Sequence, residues 1–176
     1  MMGYLGKDSS LNILVRVSLF GALSATLFIF EGLAPRPIPW MKLGIGNIPV
    51  VVALTLYGPV PAFIVCFVKL TIGGLIGGLI AGPVFIISVG GTIASWFVMS
   101  LCSKLPFLGL GPIGVSIWGA CSHQATQLII AYVFVGQFAI FSLFPVALLS
   151  AVVTGTFIGC LAFWVLRLLS NESSDK

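Results

Sequence analysis

"PAFIVCFVKLTIGGLIGGLI", residues 61–80, is twenty residues long and carries one charge, Lys69. An α-helix needs about 20 predominantly apolar residues to cross the hydrocarbon core of a bilayer. The run is continuous, without the alternation over roughly ten residues that marks a membrane β-strand. It therefore reads as a transmembrane helix. Lys69 sits eight residues in, close to the midplane, where an ionised side chain costs several kcal/mol unless it meets a partner, water or a ligand. Lys69, Gly73 and Gly77 recur every four residues and share a face. Gly73-xxx-Gly77 and Gly74-xxx-Gly78 are spacings that let helices approach closely. Lys69 is thus expected to point into a helix bundle, either lining a solute pathway or held structurally by carbonyls or Glu31.

Working outward, the rest of the chain has the same character. Of 176 residues, 59% are hydrophobic and 7% are charged, with a mean hydropathy of +1.21. Soluble domains carry about 25% charged residues. Eight basic and four acidic residues cover only a small aqueous surface. Breaks at Gly, Pro and charge give further spans at 11–30, 46–56, 84–102, 113–135 and 138–169. The second is short and reads as tilted or partly re-entrant. Pro145 is expected to bend the last. The reading is an all-α integral membrane protein, a bundle of about six transmembrane helices forming one domain over residues 1–176.

Six spans place both termini on one side. Lys7, Arg16, Lys104, Arg167 and Lys176 share that side, and Arg36 and Lys42 face the other. The positive-inside rule puts the termini in the cytoplasm, with 1–10 and 170–176 as tails and 31–45 as an outer loop. Arg16 lies near the start of its span and can snorkel to the surface. A cleaved signal peptide is the rival reading of the N-terminus, but no clear small-x-small site with a polar start follows it.

Enzyme classes find little support. The four cysteines are scattered through apolar segments without metal-like spacing, and no C-x-x-C, HExxH or glycine-rich phosphate loop occurs. Asp8 and Asp175 are the two aspartates, one in each tail, so neither a Ser/His/Asp triad nor an aspartate cluster holding Mg²⁺ on a diphosphate is present. No metal or cofactor is expected.

Binding is better supported. In "GVSIWGACSHQATQLIIAY" (114–132), Ser116, Ala120, His123 and Gln127 form one helical stripe, flanked by Gln124. Facing lipid, these groups would leave donors and acceptors unmet at a cost of several kcal/mol. They are expected to face the interior, as solute ligands or as interhelical hydrogen bonds. A lone His123 is weak evidence for a metal. In the loop "EGLAPRPIPWMKLGIGNIP" (31–49), Arg36, Trp40, Lys42 and Asn47 sit among prolines that restrict the backbone. Above Lys69 and the His123 stripe, they are expected to line a donor-rich, net positive cavity open to the outside, with the loop as lid. The alternative is a static loop anchored at headgroups.

"KLGIGNIPVVVALTLYGPVPAFIVCFVKL", "SVGGTIASWFVMSL" and "GVSIWGACSHQATQLIIA" together resemble the Gx transporter family, also named heptaprenyl diphosphate synthase component I. The resemblance runs over residues 13 to 165 and is most specific at Lys42, Gly44, Asn47, Ser116, Gly119, Ala120, His123 and Gln127. Gln124 stands where an asparagine commonly follows the histidine. The chain also resembles the substrate-binding (S) components of energy-coupling factor (ECF) importers. That implies a six-helix S component in a prokaryotic cell membrane, capturing a small vitamin- or cofactor-precursor-like solute from outside. Its partners would be a transmembrane coupling subunit and two ATPases. Small residues on the first helix, Ser18, Gly21, Ala22, Ala25 and Thr26, would form the docking face, with ordinary internal packing as the alternative. A non-catalytic partner of a prenyl diphosphate synthase and a structural membrane subunit are the competing classes.

Overall fold

The computed structural model describes residues 10–33, 44–77, 82–105 and 109–174. These residues form six α-helices: α1 (Ser10–Leu33), α2 (Ile48–Tyr57), α3 (Pro59–Ile76), α4 (Pro83–Lys104), α5 (Pro112–Val135) and α6 (Phe144–Ser174). Single 3₁₀ segments precede α2 (Ile45–Asn47) and α6 (Phe138–Leu143). Proline opens the first turn of α2, α3, α4 and α5, where its missing N–H is no loss and its fixed φ suits the helix. Gly58, at φ 88, ends α2 and starts α3 in one residue.

The helices α1, α3, α4 and the Phe138–Asn171 segment are both long enough and apolar enough to cross a membrane. Helix α5 has the length, at 24 residues, but its polar stripe lowers its hydropathy. The expected second span is the exception in geometry. With its 3₁₀ turn it runs from Ile45 to Tyr57, roughly 20 Å at helical rise, against a core of about 30 Å. Its residues Val50 to Leu54 are at most 4% exposed, and it packs on α1, α3 and α6. An all-round apolar helix of this kind is the centre of the bundle. Pro145 falls in the first turn of α6, so the break lies at the 3₁₀ junction and not within a bent helix. Helix α6 continues past residue 169 to Ser174.

Two tightly packed groups surround α2. Helix α1 lies along α3, and α5 is held between α4 and α6. Small residues set both contacts. A Cβ on Gly21 of α1 would meet Val68 of α3 at 3.0 Å. On α6, Gly155 and Gly159 face the Cα atoms of Ile117 and Ile113, which would lie 2.8 and 2.5 Å from added Cβ atoms. Backbones come this close only where one side has no side chain. Large apolar groups such as Leu19, Phe67, Phe97, Leu149 and Trp164 cover the outside. In water such a surface would be a liability; against lipid tails it is the ordinary exterior.

Candidate functional site

The site begins at the end of α1. Glu31 lies in the last turn, where the helix dipole disfavours a carboxylate. The backbone N–H of Gly44 donates to its Oε1 and offsets this. Gly44 has φ 75, a left-handed backbone that favours glycine, and a Cβ there would lie 2.9 Å from the movable Ile158 Cδ1. The carbonyl of Gly44 accepts from the Asn47 N–H at 2.8 Å and closes the 3₁₀ turn. Buried Ser24 donates to the Gly46 carbonyl at 2.5 Å, fastening the same turn to α1.

This turn aims Asn47 at α3. Lys69, 3% exposed, donates from Nζ to Asn47 Oδ1 at 2.5 Å. An ammonium so far from water is tolerable only with polar partners. Asn47 uses one of its three donors, and Glu31 supplies an opposite charge on the same cavity wall. Next to Lys69 on its helix face, Gly73 leaves room for the Phe28 ring, whose Cδ1 would be 2.3 Å from an added Cβ.

The other half of the bundle completes the enclosure. Ser88 and Thr92 come from α4, Ala120, His123 and Gln124 from α5, and Thr154 and Ile158 from α6. Together with Phe28, Glu31, Gly44, Gly46, Asn47 and Lys69 they line a partly open cavity of about 50 Å³. The imidazole of His123 lies over Gly91 of α4, with Cε1 3.0 Å and Nδ1 3.1 Å from the site of a missing Cβ. The volume suits a few waters or one small polar group; drug-sized ligands fill about 300–1,000 Å³.

The expected residues divide accordingly. Asn47, Lys69, His123 and Gln124 come together on the cavity. Ser116 and Gln127 are drawn into helix packing. Ser116 Cβ lies against Gly159, at 3.2 Å from a Cβ there, and Gln127 Cγ lies against Gly91. A polar stripe running along a whole helix is longer than the cavity it borders, so its ends meet neighbouring helices. Arg36, Trp40 and Lys42, with Pro35, Pro37 and Pro39, lie outside the described residues. Within the described wall the formal charges are one ammonium and one carboxylate; the expected positive excess rests on Arg36 and Lys42, which lie outside the described residues.

The sequence reading passed over Ser88, Thr92 and Thr154, and treated Glu31 only as a partner for Lys69. The signal for α4 was available: Ser88, Thr92 and Ser95 are four and three residues apart, and all three are buried. On α1, Gly21 and Ala25 are buried in the bundle, Gly21 against α3. That removes them from the expected docking face and leaves Ser18, Ala22 and Thr26 on the outer surface.

No curated protein and no solved structure matches the chain. A family model described as heptaprenyl diphosphate synthase component I matches residues 20–165, which take in every residue of the cavity wall. The match extends from the middle of α1 to the last turns of α6, and on it the chain belongs to the heptaprenyl diphosphate synthase component I family.

Proposed function

We propose that this chain is a membrane-embedded solute-binding subunit of an ECF-type importer. The observation that carries the reading is Lys69. A nearly inaccessible ammonium in a membrane-crossing helix is held by one side-chain amide at the edge of a polar cavity. A group of this kind usually marks a substrate or ion pathway. Asn47, Lys69, His123 and Gln124 would hold the polar part of a small solute. Residues 31 to 47 would close over it from outside, with Arg36 and Lys42 attracting it and Trp40 offering an aromatic plate. The termini would be cytoplasmic in a prokaryotic cell membrane. Ser18, Ala22 and Thr26 would meet the coupling subunit, and two ATPases would supply the energy.

Native mass spectrometry of the purified protein tests the reading. Wild type is expected to carry a small bound solute that Lys69→Met loses while remaining folded. Equal occupancy in both proteins rejects the assignment.

The family description favours a second reading, in which the chain is the non-catalytic membrane partner of a prenyl diphosphate synthase. In that case prenyl transfer by the catalytic partner would depend on this chain, and no bound solute would follow Lys69.

A further inference from the structure

A second cavity, of about 390 Å³, lies between α3 and α4. Its wall is almost wholly apolar, including Phe63, Phe67, Leu70, Val89, Ile93 and Trp96. Phe63, Phe67 and Ile93 are on the outer surface of the bundle, so the cavity is a groove that faces lipid. The Phe63 and Trp96 rings meet at 4.9 Å, and Trp96 Nε1 donates to the Pro59 carbonyl at 2.9 Å; these contacts tie α3 to α4 at one end.

The groove and the polar cavity share a seam. On α3, Lys69 lines the polar cavity and its neighbour Leu70 lines the groove. On α4, Ser88 and Val89 divide in the same way, and Thr92 lines both. The two cavities therefore adjoin at Thr92, which borders both the polar chamber and the apolar groove.

We propose that the ligand is a single-chain amphiphile: an anionic head, carboxylate or phosphate, held at Lys69, with an apolar chain passing Thr92 into the α3–α4 groove. This rests on the solute-binding reading above and narrows its substrate class. The head matches the Lys69 ammonium, which Asn47 Oδ1 meets through one hydrogen bond, while Glu31, the carboxylate on the same wall, accepts from the Gly44 N–H. The chain matches a groove with little that could hydrogen-bond it.

The test uses the full chain in phosphatidylcholine nanodiscs, with hexadecyl phosphate and hexadecanoate each carrying a diazirine at the chain end. Photolysis is expected to label groove residues for at least one probe. Lys69→Met is expected to reduce that labelling at least tenfold, although Lys69 does not line the groove. Ile93→Trp, which narrows the groove from its lipid side, is expected to reduce it similarly, with Val89→Phe as the second variant should the first not fold. Labelling that persists in Lys69→Met is ordinary lipid contact and overturns the proposal, as does labelling indifferent to a filled groove. A water-soluble solute lost from Lys69→Met in native mass spectrometry, with no groove labelling in wild type, rejects the amphiphile and leaves solute binding standing. Failure of both experiments rejects both.

Discussion

Replacing Lys69 and replacing its partner Asn47 are expected to differ in their cost to stability. In Lys69→Met a buried ammonium becomes an apolar chain of similar length. Asn47 Oδ1 loses its donor, at about 1–3 kcal/mol for an unsatisfied buried group. Removal of the charge recovers part of the desolvation cost of burying it, which is several kcal/mol per ion. The two roughly cancel, so stability should change by no more than about 1 kcal/mol. Binding should fall more than tenfold, about 1.4 kcal/mol, because the ammonium is the cavity's cation among the described residues. In Asn47→Leu the ammonium stays, 3% exposed, and loses its 2.5 Å acceptor. A hydrogen bond to a charged group contributes about 1.5–3 kcal/mol, and that loss has no compensating gain. Asn47→Leu should therefore be the less stable protein by about 1–2 kcal/mol, and adding Lys69→Met to it should restore stability. Equilibrium denaturation in detergent micelles, followed by tryptophan fluorescence, measures all three variants. If Lys69→Met is the most destabilised, or if the double variant is no more stable than Asn47→Leu, the buried ammonium is not the costly group and the reasoning fails.

Three further outcomes are expected. Gly44→Ala should destabilise by about 1–2 kcal/mol from its left-handed backbone; denaturation checks the size, and a neutral result would contradict the turn. Gly159→Leu should cost at least about 1–3 kcal/mol by overpacking, because its Cβ would meet the Ile113 backbone and not a movable side chain; loss of the monodisperse size-exclusion peak on heating reads it. Ala22→Trp should fold and bind solute yet fail in uptake when produced with its partners, whereas Ala25→Trp, at a site 2% exposed, should lose the fold; normal uptake by Ala22→Trp removes the docking face.

Much of the architecture was legible in one dimension because a bilayer imposes simple demands. Each helix must satisfy its own backbone hydrogen bonds and present an apolar exterior, so long apolar runs opened by Pro59, Pro83 and Pro112 could be placed to within a few residues. Lys69 could be directed inward by the cost of the alternative, and the spacing of Gly73 indicated a close neighbour. Periodicity names a face but not what lies opposite it. Which part of the α5 stripe reaches the cavity depends on the level at which α4 and α6 cross α5, and that is set by backbone approach at Gly155 and Gly159 and by the room Gly91 leaves for the His123 and Gln127 side chains. His123 and Gln124 therefore enter the site, while Ser116 and Gln127 pack between helices. In the same way, the ten-residue α2 became the core because α1, α3 and α6 close around it, and Glu31 reached the cavity because the Gly44 turn folds back onto the end of α1. The sequence by itself determined a helical membrane protein with an inward-facing cation. The tertiary structure decided which polar groups meet that cation, because helix crossings are three-dimensional contacts between residues far apart in the chain.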